Sequence, residues 1–150
     1  MFRGATNVTL DDKGRMVVPT RYRERIFERA EGKLVVTADR DQCLLIYPLP
    51  DWEQIERKIM SLPSFDEQVR SLQRLMVGYA ADLELDGHGR LLLPPELREY
   101  AGLSRNAMLI GQFNRFELWD ESRWAVQRGA MERSGGSSTG LSAELRSLSL

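Results

Sequence analysis

At 150 residues, 42% hydrophobic and 29% charged, the chain has room for one compact domain or two small halves sharing a core, with the composition of a soluble globular protein. No window approaches the roughly 18 consecutive apolar residues of a membrane span, and Met1-Phe2-Arg3-Gly4-Ala5-Thr6 lacks the apolar run of a signal peptide, so a cytoplasmic protein is expected. A net charge of −1 argues against a uniformly basic nucleic-acid binder, yet residues 1–29 hold seven basic groups against four acidic ones, +3, leaving −4 on the other 121.

In chain order, a short strand at about Thr6–Leu10 runs into Asp11-Asp12-Lys13-Gly14-Arg15, and a second apolar strand follows at Arg15–Val18. Gly14 supplies the positive φ of a tight hairpin. Pro19 ends the strand, and a two-turn helix is predicted at about Thr20–Phe27. Strands at Lys33–Thr37 and Leu44–Tyr47 flank a turn in Asp39-Arg40-Asp41-Gln42. Cys43, the single cysteine, has no partner for an internal disulfide or a cysteine-based zinc site and reads as a small buried hydrophobe. Asp51 is expected to cap a helix carrying Trp52, Ile55 and Ile59 on one face. Ser64-Phe65-Asp66-Glu67 reads as a capping box opening another helix, with Val69, Leu72, Leu75 and Met76 as its stripe.

The pattern then restarts. A strand at Asp82–Leu85 leads through Asp86-Gly87-His88-Gly89-Arg90 to a strand at Arg90–Leu93, with Gly89 in the role of Gly14. Pro95 opens a short helix, Pro95–Tyr100, where its missing N–H costs nothing. Strands at Ala107–Ile110 and Phe116–Trp119 surround a turn in Gln112-Phe113-Asn114-Arg115, and Asp120 is expected to cap Glu121–Glu132 with Trp124 facing inward. Ser134-Gly135-Gly136-Ser137-Ser138-Thr139-Gly140 is a linker composition. Leu141, Leu145 and Leu148 beyond it have helix spacing in a segment too short to be stable alone, so a mobile tail is expected.

This restart is a tandem duplication. Leu10–Glu24 lies over Leu85–Glu99 at offset 75 with seven of fifteen positions identical, and Leu44–Tyr47 over Phe116–Trp119 at offset 72. The expected organisation is a first repeat at 1–62, a linking helix at 63–79, a second repeat at 80–133 and a flexible tail at 134–150.

The repeated turn is the candidate site. A glycine bend projects Arg15, or Arg90, from a rigid base, and a guanidinium there offers a fork for phosphate oxygens or the O6/N7 edge of guanine. Asp11 and Asp86, four residues earlier, are placed to orient those arginines. The residues alone leave two readings open: a DNA contact, or a structural hairpin staple copied with its module. Lys13, Arg3, Arg21 and Arg23 favour DNA in the first copy, although Arg21 and Arg23 equally suit a solvated helix face. His88, the only histidine, reads as a turn residue, and its exchange for Lys13 removes a full positive charge at neutral pH. No nucleophile–base pair, metal cluster or phosphate loop is legible, so neither an enzyme nor a cofactor or metal site is expected.

Met1-Phe2-Arg3-Gly4, the two Asp-x-x-x-Arg blocks, Tyr47-Pro48-Leu49-Pro50-Asp51-Trp52 and Gly111-Gln112-Phe113-Asn114-Arg115-Phe116-Glu117-Leu118-Trp119-Asp120 together resemble the MraZ family of bacterial regulators over about residues 1–133. The resemblance implies an α+β, SpoVT/AbrB-like fold in which two hairpin modules interlock into one pseudo-twofold swapped-hairpin barrel with flanking helices. It implies a nucleoid-associated repressor that assembles into ring-shaped homo-oligomers. Its double-stranded DNA partner would be short direct repeats upstream of the division and cell-wall gene cluster that contains its own gene. No membrane or small-molecule substrate is implied. The family's DNA-contacting arginine falls on Arg15; Lys13, Arg3, Gly14 and Arg90 are the further candidates, with Asp11, Asp86 and Gly89 structural. An antitoxin that uses its serine–glycine tail to hold a toxin is the rival within the same class of barrel.

Overall fold

The computed structural model describes residues 1–135 and 142–148, and the chain divides into a unit Met1–Asp120 and a unit Glu121–Leu150. In the first unit the elements are β1 (Phe2–Thr9), β2 (Arg15–Val17), α1 (Thr20–Ala30), β3 (Lys33–Ala38), β4 (Leu44–Pro48), α2 (Leu49–Met60), α3 (Glu67–Met76), β5 (Ala81–Glu84), β6 (Arg90–Leu92), α4 (Pro95–Tyr100), β7 (Asn106–Phe113) and β8 (Arg115–Asp120). The second unit holds α5 (Glu121–Gly135) and α6 (Ala143–Ser147), the latter opened by Ser142, whose hydroxyl accepts from the Leu145 N–H. The predicted linker begins inside α5, which runs through Ser134 and Gly135; the rest of it, residues 136–140, lies outside the described residues together with Leu141, as does the mobility expected there.

A six-stranded antiparallel sheet runs β1-β7-β8-β4-β3-β5, and β2 pairs with β6 in a separate two-stranded ribbon. The order exchanges strands between the halves. β1 of the first copy lies on β7 of the second along eight residues, Phe2↔Phe113 to Thr9↔Asn106, while β5 of the second lies on β3 of the first. Two pairings are self-related. Arg15↔Leu92 and Val17↔Arg90 flank Met16↔Leu91 in the ribbon, and Leu44↔Leu118 and Ile46↔Phe116 flank Leu45↔Glu117 in the sheet. A local twofold therefore passes through both central pairs.

Side chains in β3 and β4 alternate between two cores, as strand geometry requires. Leu34, Val36, Leu44 and Ile46 face the larger one with Met16, Val18, Tyr22, Ile26, Leu91, Leu93 and Leu97. Val35, Leu45 and Tyr47 face the other with Trp52 of α2. Cys43 is fully buried, as its residue type predicts, and burial together with nearby carboxylates pushes its thiol pKa far up.

Several elements differ from expectation, each for a tertiary reason. β1 starts at Phe2 because β7 supplies a partner strand for residues that carry no alternation of their own. α1 has a third turn because Ala30 continues the buried row of Tyr22 and Ile26, and the chain leaves it through Glu31 and Gly32, both at positive φ. Asp51 does not cap α2: Pro48 precedes the helix, and Asp51 sits in its first turn, nearly buried, receiving the Arg29 guanidinium at 3.1 and 3.3 Å. Ser64 is not the cap of α3 either. Asp66 takes that place, its carboxylate accepting from the Gln68 N–H at 2.8 Å. Pro95 does open α4, with Pro94 before it. In α3 no residue is fully buried; Leu75 and Met76 pack against the two cores, while Val69 and Leu72 are half-buried.

Candidate nucleic-acid interface

The two repeated turns have one geometry. Asp11 Oδ1 accepts from the backbone N–H groups of Lys13 (3.0 Å) and Arg15 (2.9 Å), and Asp11 Oδ2 accepts from Arg15 Nε at 2.7 Å. In the second copy Asp86 Oδ1 accepts from His88 and Arg90 N–H, both at 2.9 Å, and Oδ2 from Arg90 Nε at 2.8 Å. Three donors on one carboxylate stabilise its charged form. The backbone N–H of Arg15, with its side chain and the Lys13 N–H, lowers the Asp11 pKa from 3.8 to about 2; Arg90 and His88 do the same for Asp86. Each turn closes through glycine, Gly14 at φ +85° and Gly89 at φ +72°, a region costly for other residues.

The turns are locked to each other across the repeat boundary. Val18 N–H donates to the Gly89 carbonyl at 2.9 Å, and Leu93 N–H to that of Gly14 at 3.0 Å. Arg23 Nε donates to the Val18 carbonyl at 2.7 Å while its guanidinium covers Gly89, and Arg98 Nε donates to that of Leu93 at 3.1 Å while covering Gly14. A Cβ on Gly14 would meet Arg98 at 2.5 Å, and one on Gly89 would meet Arg23 at 2.3 Å. The positive φ is what requires glycine at both turns, and a Cβ would in addition push the covering arginine aside.

The register of the ribbon decides where the arginines go. Opposed residues of an antiparallel pair share a face and neighbours along a strand alternate. Met16 and Leu91 point into the core, 0% and 1% exposed, so Arg15, Val17, Arg90 and Leu92 all point outward. Arg15 and Arg90 become a diagonal pair on one face, with backbones roughly 7–8 Å apart. Their side chains are 31% and 29% exposed. Each aspartate holds its arginine by Nε, and among the described residues no hydrogen bond takes the Nη groups of either. Each guanidinium is therefore fixed at Nε, with its terminal Nη groups not engaged by the fold on a side chain that is partly exposed.

Of the other candidates, Lys13 is exposed at the first turn. Arg98 and Arg105 line a small cleft of about 220 Å³ beside Asp11 and Gly14, adding two cations that sequence reading passed over. The identity of Arg98 with Arg23 in the repeat was the available signal for one of them. Arg3 is not brought to the ribbon: it lies on β1 opposite Gln112, seven residues before Leu10, or about 23 Å along the strand. Arg21 is tied to Thr6 and to the Tyr22 hydroxyl, Arg25 to the Met1 carbonyl and Arg29 to Asp51. Among the described residues no group of three His, Cys, Asp or Glu side chains is placed to hold a metal ion, and no helix is long and apolar enough to cross a membrane.

A duplicated α+β chain whose two copies trade strands and meet on one arginine-bearing ribbon is the class of protein these features define. The family model "MraZ protein, putative antitoxin-like" matches twice, over residues 1–75 and 76–135. A "Transcriptional regulator MraZ" of Thioalkalivibrio sulfidiphilus is 56% identical over 150 residues, covering all of both chains. Proteins of the same name from Pseudomonas aeruginosa and Nitrosospira multiformis are each 53% identical, over 151 and 150 residues, again covering all of both chains. The chain belongs to the MraZ family.

Proposed function

We propose that this chain is a transcriptional regulator that binds duplex DNA sequence-specifically through the outer face of the β2–β6 ribbon. Full-length relatives named as transcriptional regulators support the regulatory role, and a binding role in place of catalysis. The observation that carries the DNA reading is the pair of aspartate-anchored arginines, Arg15 and Arg90, on one exposed face of a rigid two-stranded ribbon. Such a ribbon is of a size to enter a major groove, and an outward guanidinium fork suits guanine O6/N7 or a phosphate. Arg15 and Lys13 make the main contacts, and Gly14, buried under the Arg98 guanidinium, shapes the turn that carries them. Arg90 contributes less, because His88 stands where the first turn has Lys13. Arg3 adds only to the long-range field.

The strand exchange supports the finer architecture, two SpoVT/AbrB-like modules at 1–62 and 80–133, joined by the segment 63–79 that holds α3 and interlocked as a swapped-hairpin barrel about a pseudo-twofold. With a net charge of −1, one ribbon binds weakly. A homo-oligomeric ring presenting several ribbons at fixed spacing turns weak contacts into avidity on short direct repeats. The site of action is the cytoplasm, at the nucleoid, with the regulator's own division and cell-wall gene cluster repressed. Nuclease footprinting of the DNA upstream of its own gene tests this. Evenly spaced protected boxes are expected with the wild type and their loss with Arg15→Ala; protection undiminished in the variant would overturn the ribbon as the contact surface.

A further inference from the structure

Between the two arginines the ribbon exposes two aliphatic side chains that the DNA-binding reading leaves unused. Val17 is 47% exposed and Leu92 56%, on strands whose inward residues are fully buried. Each stands directly across from an arginine, Val17 from Arg90 and Leu92 from Arg15, so both are held on the same face as the guanidinium forks. Neither belongs to a core cluster of the fold. The backbone under them cannot shift register, because the Val18–Gly89 and Leu93–Gly14 hydrogen bonds close the ribbon just beyond.

We propose that Val17 and Leu92 are specificity-determining residues that pack against thymine methyl groups in the major groove, between the bases or phosphates taken by Arg15 and Arg90. The inference rests on the DNA-binding reading and adds to it a base identity. Each guanidinium is already paired with its aspartate through Nε, and its Nη groups are left without a hydrogen bond beside Val17 and Leu92, so an occupant that sets acceptor oxygens next to an apolar group fits this face better than a wholly apolar one. Within duplex DNA a phosphate or a polar base edge gives nothing to an aliphatic side chain. The thymine C5-methyl is the apolar group that the major groove displays, and an A·T pair differs there from every other pair. The twofold that relates Val17 to Leu92 is imperfect, because leucine reaches one carbon further and is the more exposed. The two thymine contacts are therefore unequal, Leu92 making the larger, and the bound protein has a direction on its box.

The test removes single methyl groups. Boxes are recovered by selecting random duplexes on the wild-type protein, and each thymine is replaced in turn by uracil, which pairs identically but lacks the C5-methyl. Binding is measured by anisotropy for wild type, Leu92→Ala, Val17→Ala and Val17→Thr, the last keeping shape while exchanging one methyl for a hydroxyl. The expected result is that uracil at one or two thymines weakens wild-type binding about fourfold per methyl. Leu92→Ala should lose that sensitivity at one position, and the Val17 variants at the other. Because both residues are exposed, melting temperatures should stay near that of the wild type. If binding is lost in Arg15→Ala but uracil has no effect on wild type at any position, the methyl contact is overturned and the DNA-binding reading stands. A shift in assembly mass on Leu92→Ala without any uracil effect likewise overturns it and makes this face a contact between copies. Recovery of no box at all removes both readings together.

Discussion

Asp11 and Asp86 show what a single carboxylate does here. Each satisfies two backbone donors of its own turn and gives its second oxygen to one nitrogen of an arginine, which fixes the guanidinium while leaving its fork unused. Their carboxyl pKa values, about 2 against an ordinary 3.8, lie below the unfolded value, so the ionised form favours the folded turn. That contribution is complete above about pH 4 and is lost as pH falls from there through about 2. Carboxyl resonances of both residues followed by NMR should therefore titrate near 2, and midpoints near 4 would show that the turn is not formed in solution. Cys43 gives a second prediction at this scale. Completely buried, with its thiol pKa raised by burial, it should resist alkylation until the protein unfolds. Rapid labelling of native protein by a maleimide would contradict the packing described.

Among the elements, the ribbon is the piece on which everything else turns, although it is only three residues long on each strand. Its inner residues, Met16 and Leu91, anchor it in the main core, and their replacement should cost far more than exposed changes. Leu91→Ala is expected to destabilise the chain by about 2–5 kcal/mol, measured by denaturant titration, with a change under about 0.5 kcal/mol pointing to a loosely held ribbon. The sequence made the individual hairpins legible, since the Asp-x-x-Gly-Arg block, the following proline and the apolar runs are local signals. What it did not contain locally was the partner of each strand. Nothing in Phe2-Arg3-Gly4-Ala5 announces a strand, because the hydrogen bonds that make it one come from β7, about a hundred residues away. The same gap hid the joint site. Two turns read separately look like two tips, and only the pairing of β2 with β6 puts both arginines on one face. Helix starts failed in a similar way: Asp51 has the residue type of a cap, but α2 begins two residues earlier, after Pro48, and leaves Asp51 in the first turn, paired with Arg29.

For the whole molecule, duplication with strand exchange has a mechanical consequence. Neither copy completes its own part of the sheet, so the ribbon is held by both and cannot shift with one alone. A ribbon held in this way suits the proposed function, in which affinity would come from repetition of a modest contact. If several chains act together on direct repeats, inserting half a helical turn, about 5 base pairs, between boxes should weaken binding while leaving each box intact. Affinity unchanged by the insertion, measured by gel shift, would mean that each chain binds alone.

A contact between Arg15 and DNA, made from the ribbon, is what the proposed function depends on most. Its most direct measurement is the affinity of wild type and Arg15→Ala for one upstream duplex across a salt series, with circular dichroism and assembly mass checked for both. Arg15→Ala is expected to bind roughly 5- to 150-fold more weakly, and the slope of log K against log salt should shrink by about 0.9 for each phosphate that Arg15 neutralises in the wild type. Equal affinity and an equal slope in a folded, normally assembled variant would contradict the account.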